Sequence, residues 1–221
     1  MTIAEAMKLR HSVRTYQDKP IPAQICSELE QEIAACNAEG GLRIQLVTNE
    51  KDAFDGFMAH YGKFSGVRNY IALIGKKSAG LEEKAGYYGE RIALKAQCLG
   101  LNTCWVALTM RKGTVKKHCA IGPGEKLVCV ISVGYGTTQG VPHRSKAMED
   151  LCRAAQKPEW FIRGMEAAML APTAMNQQKF LFSLDGNKVT ARATGGFYSN
   201  VDLGIVKYHF EAGAGTEHFT W

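Results

Sequence analysis

The sequence has no long apolar run and no CxxC cysteine pair, and these absences exclude several classes of protein. No hydrophobic segment in the 221 residues approaches the length of a membrane span, and no signal peptide opens the chain. The seven cysteines are odd in number, so a disulfide framework is not expected. We expect buried, reduced thiols in a cytoplasmic protein, with no membrane and no bound metal.

The basic residues lack the pattern of a nucleic-acid-binding protein. The net charge is +6, but the lysines and arginines are spread along the chain without an aromatic-interleaved basic run. An anionic small ligand explains the excess more simply. The glycine-rich stretch 134–140 follows a predicted strand without opening a helix, so it fails the dinucleotide-binding fingerprint. The histidines show neither metal-ligand spacing nor a triad arrangement.

Apolar periodicity predicts alternating helices and strands along the whole chain. A Thr2-x-x-Glu5 capping box opens the first helix. Pro22, at a first helical position, opens a second helix that ends at Gly40-Gly41. Further helices are predicted at 81–99, 158–168 and 201–214, and strands at 42–47, 70–74, 127–133, 180–184 and 189–193.

The C-terminal part of the sequence reads as a compressed second copy of the first part. The segments 89–100 and 204–215 each run eleven residues from glycine to glycine, with a tryptophan beyond. Coincidence is the alternative explanation for so short a match. We predict a single domain, 1–221, with a main half at 1–150 and a second half at 151–221, related by an internal pseudo-two-fold repeat.

Two motifs stand out in the sequence, and the first carries groups that suit a phosphate. Segment 10–14, Arg-His-Ser-Val-Arg, offers guanidinium forks beside neutral donors, which is the mixture that a phosphate dianion needs. A solvated basic turn is the alternative interpretation. Segment 171–178, Ala-Pro-Thr-Ala-Met-Asn-Gln-Gln, is far away in the chain and could instead be a helix stop with turn chemistry.

Segment 10–16 resembles the opening signature of the flavin-dependent nitroreductase family, and segment 171–178 resembles that family's Pro-Ser-x-x-Asn segment. The resemblance implies an α+β fold with a mixed, mainly antiparallel sheet flanked by helices. It also implies an FMN oxidoreductase that uses NADH or NADPH and reduces a small flat acceptor, such as a nitroaromatic or a quinone. A non-catalytic protein that stores or senses FMN is the alternative. The flavin carries the redox chemistry, so no catalytic side chain is assigned.

The resemblance assigns the flavin contacts residue by residue. Arg10, His11 and Ser12 resemble the phosphate and ribityl contacts, and Arg14 resembles the cation at the pyrimidine edge of the ring. A cation at that edge favours the anion that two-electron reduction leaves there. The complete set of residues implied is Arg10, His11, Ser12, Arg14, Trp105, Val106, Ala107, Leu108, Arg144, Lys146, Pro172, Thr173 and Asn176.

The position of the second motif departs from the family pattern. Family members commonly form dimers in which one subunit supplies the Arg-His-Ser segment and the other the Pro-Ser-x-x-Asn segment. Here the first copy lacks that segment, and Lys179-Phe180 replace the usual Pro-Trp pair. We therefore expect a monomeric pseudo-dimer with one FMN site, and an ordinary homodimer is the alternative.

Overall fold

The structure is a computed structural model that describes residues 1–221. Its contacts divide the chain into two compact units. The N-terminal unit comprises residues 9–81 and 92–141, and the C-terminal unit comprises residues 1–8, 82–91 and 142–221. The sequence-based division at residue 150 stays a prediction.

Eight helices and seven strands make up the regular structure. The helices are α1 (Ile3–Leu9), α2 (Ala23–Gly40), α3 (Phe57–Tyr61), α4 (Leu81–Cys98), α5 (Lys112–Lys117), α6 (Met148–Leu151), α7 (Glu159–Ala168) and α8 (Ser199–Ala214). The strands are β1 (Gln45–Val47), β2 (Tyr70–Lys76), β3 (Asn102–Val106), β4 (Glu125–Gly134), β5 (Cys152–Arg153), β6 (Phe180–Asp185) and β7 (Lys188–Ala193). Short 3₁₀ turns lie at Asp52–Phe54, Ala174–Asn176 and Thr216–His218.

The N-terminal unit is built on a four-stranded sheet with the order β1-β2-β4-β3. All three pairings are antiparallel, with Ala72 opposite Val130 and Trp105 opposite Ile131. Strand β2 is central and its residues 70–75 are buried, as its continuous apolar run predicts. Strand β3 lies at the edge of this sheet, a position that matters for the segment described below.

The C-terminal unit contains a second, three-stranded sheet with the order β5-β6-β7. Strands β6 and β7 form an antiparallel hairpin, and β5 pairs with β6 in parallel. Helices α7 and α8 pack on each other through aromatic side chains. The rings of Phe182 and Phe210 stack at 4.8 Å, and Phe161 meets Phe210 edge-on at 5.5 Å. These rings form the interior of the unit.

Within the same unit, α8 approaches the first half of α4 so closely that only glycine fits. A Cβ added to Gly204 would overlap the carbonyl oxygen of Glu83 and lie 2.6 Å from the backbone nitrogen of Tyr87. A Cβ on Gly86 would overlap the carbonyl oxygen of Val201. Because backbone atoms form both walls of the contact, side-chain movement cannot create space there.

A buried His–Glu pair also joins α8 to its neighbours. The Nε2 atom of His209 lies 2.9 Å from Oε1 of Glu90, and Nδ1 lies 3.0 Å from the carbonyl oxygen of Ala167. Both side chains of the pair are fully buried. One histidine therefore links α8 to α4 and α7.

The α+β class and the mainly antiparallel pairing agree with the sequence-based prediction. The capping box forms in both directions, with the Thr2 amide donating to Glu5 Oε2 at 2.8 Å and the Glu5 amide to Thr2 Oγ1 at 3.2 Å. Pro22 precedes α2 instead of occupying its first helical position. The predicted strand at 42–47 is shorter than expected, because only Gln45–Val47 pairs regularly with β2.

Candidate functional site

The Arg-His-Ser segment lies along the free edge of the four-stranded sheet. Ser12 forms a parallel bridge with Thr103 of β3, and the Val13 amide donates to the Thr103 carbonyl at 3.1 Å. Farther along, the Gln17 amide donates to the carbonyl oxygen of Tyr135 at 2.8 Å. The segment therefore pairs with β3 at Thr103 and with the chain just after β4 at Tyr135.

Two buried side chains fix which way this segment faces. Val13 and Tyr16 are 2% and 7% exposed. The Tyr16 hydroxyl donates to the Val13 carbonyl at 2.8 Å and contacts the Ser132 hydroxyl at 2.9 Å. With these two side chains inward, Arg14 remains exposed, and its guanidinium lies 6.0 Å from the centre of the Phe64 ring. Arg10 is buried, at 3% exposed, and His11 and Ser12 are half-buried.

Three polar residues of the segment influence the thiol of Cys104 in β3. Burial raises the pKa of this thiol, while Arg14, a hydrogen bond with Ser12, and Arg10 each act to lower it. A raised pKa favours the thiol form over the reactive thiolate. Arg10, Ser12 and Arg14 thus act on one small volume at the sheet edge.

Beside this volume, the four residues predicted to pass the flavin ring differ in exposure. Trp105 and Ala107 are half-buried, Val106 is buried, and Leu108 is 63% exposed. Strand β3 ends at Val106, so the chain leaves the sheet at Ala107.

The second motif forms a turn directly after α7 in the C-terminal unit. Met175, Asn176 and Gln178 have φ angles of 53°, 54° and 46°, in the left-handed region. Such conformations cost side-chain-bearing residues about 1–2 kcal/mol each. Asparagine tolerates this region better than methionine does. The surrounding contacts must therefore hold the turn in place.

Four predicted residues come together at this turn. The Asn176 side chain donates to the Arg144 carbonyl at 3.0 Å, and Thr173 Oγ1 accepts from the Gln178 amide at 3.0 Å. Lys146 Nζ donates to the carbonyl oxygens of Gln177 and Gln178, at 2.9 and 3.1 Å. The basic segment at 144–146 thus forms hydrogen bonds with the turn, and its charge pattern in the sequence does not predict these bonds.

Asp202, in the first turn of α8, was missed from the sequence, although it contacts the same turn. Its Oδ1 atom accepts from the Ala174 amide at 2.9 Å, and Oδ2 accepts from the Gln177 side chain at 2.7 Å. Burial raises the pKa of Asp202 to about 6, although both hydrogen bonds act to lower it. A carboxylate between two apolar residues, Val201 and Leu203, is the signal that could have identified it.

A comparison with known families decides the identity of the chain. The sequence model of a family described as "Putative TM nitroreductase" matches residues 2–214. This chain belongs to that nitroreductase family. A comparison with curated proteins finds no match.

Solved structures share the fold of this nitroreductase at low sequence identity. A Thermotoga maritima protein described as a putative nitroreductase is 23% identical, with a TM-score of 0.65, over 95% of this chain and 82% of that chain. A Parabacteroides distasonis protein described as a putative NADH dehydrogenase/NAD(P)H nitroreductase is 21% identical, with a TM-score of 0.54, over 67% of this chain and 95% of that chain.

A third structure, from Desulfovibrio desulfuricans, is described as a putative nitroreductase in complex with FMN. It is 15% identical, with a TM-score of 0.53, over 72% of this chain and 98% of that chain. At these identities the likeness establishes the nitroreductase-like fold alone.

The predicted site residues of this nitroreductase divide between the two units. The N-terminal unit holds Arg10, His11, Ser12, Arg14, Trp105, Val106, Ala107 and Leu108. The C-terminal unit holds Arg144, Lys146, Pro172, Thr173 and Asn176. Their assignment to a flavin stays a prediction.

Other features of the nitroreductase add no further candidate site. A pocket of about 180 Å³ in the N-terminal unit is lined by residues 16–20 with Asn49, Arg68 and their neighbours, and includes none of the predicted site residues. No group of three His, Cys, Asp or Glu side chains is placed to hold a metal ion. None of the helices has the length and apolar character of a membrane span.

Proposed function

We propose that this nitroreductase binds FMN and uses it to pass electrons from NADH or NADPH to a small flat acceptor such as a nitroaromatic or a quinone. The observation that carries the proposal is the pairing of Ser12 with Thr103 of β3, beside Cys104, whose thiol is influenced by Arg10, Ser12 and Arg14. Family membership supports an oxidoreductase. The FMN complex of the Desulfovibrio protein and the description of the Parabacteroides protein support the cofactor and the reductant.

The donor groups of segment 10–14 fit the chemistry of FMN. Two guanidiniums, an imidazole and a hydroxyl suit a ligand that carries a phosphate dianion and a hydroxylated chain. Arg10, His11 and Ser12 would hold the phosphate and ribityl oxygens. Arg14, which is exposed, would present its positive charge to the pyrimidine edge of the ring. Bound FMN would supply reversible two-electron transfer, and the protein would bind and orient it.

The turn at 172–176 would supply the remaining polar contacts. Thr173 offers a hydroxyl and Asn176 an amide, and the left-handed backbone of Asn176 fixes the direction in which its side chain leaves the turn. We retain Arg144 and Lys146 as phosphate contacts in this proposal. Two of the three N–H groups of Lys146 face carbonyl oxygens, which leaves one for an anion.

Assembly and location complete the proposal. We propose that one chain forms a monomeric pseudo-dimer with a single FMN, with a homodimer as the alternative that a mixing experiment tests. In support, two strands lie between two long helices in both parts of the chain, as α2-β1-α3-β2-α4, in which the short helix α3 separates the strands, and as α7-β6-β7-α8. We also propose a cytoplasmic location, because seven cysteines without a CxxC pair suit a reducing compartment.

An anaerobic titration tests the proposed activity. The purified protein is saturated with FMN, and NADH or NADPH is added without oxygen while the visible flavin bands are recorded. Loss of those bands, followed by their return when a quinone is added, is the expected result. Failure to bind FMN would refute the proposal. Bound flavin that both nicotinamides leave oxidised would instead identify a non-catalytic FMN-binding protein.

A further inference from the structure

The turn at 173–178 depends on contacts from outside itself. Three of its residues, Met175, Asn176 and Gln178, hold left-handed backbone conformations that their side chains disfavour. Met175 is also 90% exposed, so burial of its side chain does not stabilise the turn. The conformation that presents Thr173 and Asn176 must therefore be imposed by polar contacts.

One carboxylate joins the two ends of this turn. Asp202 accepts from the amide of Ala174 at one end and from the side chain of Gln177 at the other, at 2.9 and 2.7 Å. Asp202 is only 3% exposed and projects from the first turn of α8, a helix of 16 residues. The buried helix therefore gives its carboxylate a fixed position against which the turn can form.

A second anchor acts on the carbonyl oxygens of the same turn. Lys146 donates from Nζ to Gln177 and Gln178, and its amide donates to Gln178 Oε1 at 2.8 Å. Gln178 in turn donates from Nε2 to Asn176 Oδ1 at 2.9 Å. Asp202 thus accepts hydrogen bonds from N–H groups of the turn, and Lys146 donates hydrogen bonds to carbonyl oxygens of the turn. The orientation of Asn176 depends on both anchors.

We propose that Asp202 is the positioning residue of the flavin site, holding the turn in the conformation that presents Thr173 and Asn176 to the ligand. This inference rests on the proposed binding of FMN. Protonation of Asp202 removes an acceptor, because a protonated carboxyl group cannot accept equally on both oxygens. The protonated form therefore holds the turn less well than the carboxylate.

The charged side chains on neighbouring segments have partners of their own or are exposed. They therefore do not replace the hydrogen bonds that Asp202 loses when it is protonated. Lys146 contacts the carbonyl oxygens of the turn, and Lys207 of α8 pairs with Glu83 at 2.7 Å. Lys179, which follows the turn, is exposed. The raised pKa of Asp202, about 6, places its titration within a range that binding measurements can reach.

The experiment compares Asp202→Asn with Asp185→Asn, the same change at an exposed position on β6. Dissociation constants for FMN and for riboflavin are measured at pH 8 and pH 5 by quenching of flavin fluorescence. At pH 8 we expect Asp202→Asn to weaken both ligands by about tenfold, the loss typical of one charge-assisted hydrogen bond. Riboflavin should be affected as well as FMN, because Asp202 acts on the turn that presents Thr173 and Asn176 and does not contact the phosphate.

The pH dependence separates positioning from a general loss of structure. The ratio of the wild-type and Asp202→Asn affinities should approach one at pH 5, where wild-type Asp202 is protonated. Taking this ratio cancels the titration of the FMN phosphate itself. Asp185→Asn should match the wild type at both pH values. Unchanged flavin binding by Asp202→Asn at pH 8, or a ratio independent of pH, would overturn the inference.

Hydrogen exchange gives a measurement that needs no flavin. Amides of residues 174–178 should exchange faster in Asp202→Asn than in Asp185→Asn, and equal rates would overturn the positioning role. If the wild type binds no flavin, the proposed function fails, while exchange still decides whether Asp202 holds the turn. If Asp202→Asn does not fold, Gln177→Met is used instead. This change replaces the half-buried partner of Asp202 and removes the hydrogen-bond donor to Asp202 Oδ2. This variant is expected to weaken the binding of both flavins, and unchanged binding would refute the inference.

Discussion

Replacing Gly204 by alanine places a methyl group where α8 meets the first half of α4. The new Cβ would overlap the carbonyl oxygen of Glu83 and lie 2.6 Å from the Tyr87 nitrogen. Both are backbone atoms of a helix, so neither can rotate away. The two helices would have to separate by about 1.5 Å to restore ordinary contact distances, which would disturb the close packing on both sides.

The expected decrease in the free energy of unfolding follows from two opposing effects. Overpacking of this kind costs about 3 kcal/mol, the upper part of the usual range, because no side chain can yield. Alanine stabilises a helix interior by about 1 kcal/mol relative to glycine. The free energy of unfolding should therefore fall by about 2 kcal/mol, which in a chain of this size corresponds to a decrease in Tm of roughly 4–8 °C.

Chemical denaturation followed by circular dichroism measures this loss, and Gly113→Ala is the matched control. Gly113 lies in α5, and a Cβ there meets no atom within 4 Å. The control should be neutral or stabilising by up to about 1 kcal/mol. Gly86→Ala should resemble Gly204→Ala, and the double variant should lose less than the sum, because one separation of the helices accommodates both methyl groups. If Gly204→Ala unfolds at the same denaturant concentration as the control, the close approach described above is wrong.

The remaining predictions concern the flavin and the pH dependence of stability. Arg10→Ala should weaken FMN binding ten- to a hundredfold, about 1.5–3 kcal/mol, and leave riboflavin binding nearly unchanged, which fluorescence titration checks; equal losses would exclude a phosphate contact. Arg14→Ala should lower the flavin midpoint potential with a modest loss of affinity, and an unchanged potential in spectroelectrochemistry would exclude its role at the pyrimidine edge. Co-expressed Arg10→Ala and Asn176→Ala chains should recover no FMN site if each chain completes its own, whereas recovery of one site per heterodimer would establish an exchanged dimer. The pKa of Asp202 rises from 3.8 to about 6 on folding, so the folded state keeps a proton that the unfolded state has lost, and the unfolding free energy should fall as pH rises through this window. Asp202→Asn should lack that fall, and an identical slope in denaturation curves would contradict the assignment.

The elements that could be predicted from the sequence are those fixed by local patterns. Helix α2 ends at Gly40 and is followed by Gly41 at a φ angle of 62°, because the left-handed cap needs a residue without Cβ. The continuous apolar run of β2 predicted its central place. By contrast, β5 has only two residues and depends on pairing with β6, so no local sequence pattern predicts this strand.

The sequence motifs of the candidate site could be predicted, but the contacts that hold those motifs in place could not. The turn after α7 was identified by its Pro-Thr-x-x-Asn pattern, yet its conformation depends on Asp202, which lies 28 residues from Ala174 in the chain. The family resemblance suggested that Lys146 contacts a phosphate, and the structure adds that its ammonium donates to two carbonyl oxygens. Arg10 is buried, although composition favours exposure of arginine. These contacts between distant parts of the chain depend on tertiary packing, which a single sequence does not reveal.

The hydrogen bonds of His209 and Glu90 determine where the protons of this buried pair lie. A carbonyl oxygen only accepts, so the Nδ1 atom of His209 must carry a hydrogen toward Ala167. One further proton lies between Nε2 and the Glu90 carboxyl group, on either atom. Both placements leave the pair electrically neutral as a whole, so the proton can relocate without creating a net charge inside the protein. A substitution at one position alone alters this proton count, and positions 90 and 209 should therefore change together as the family diverges.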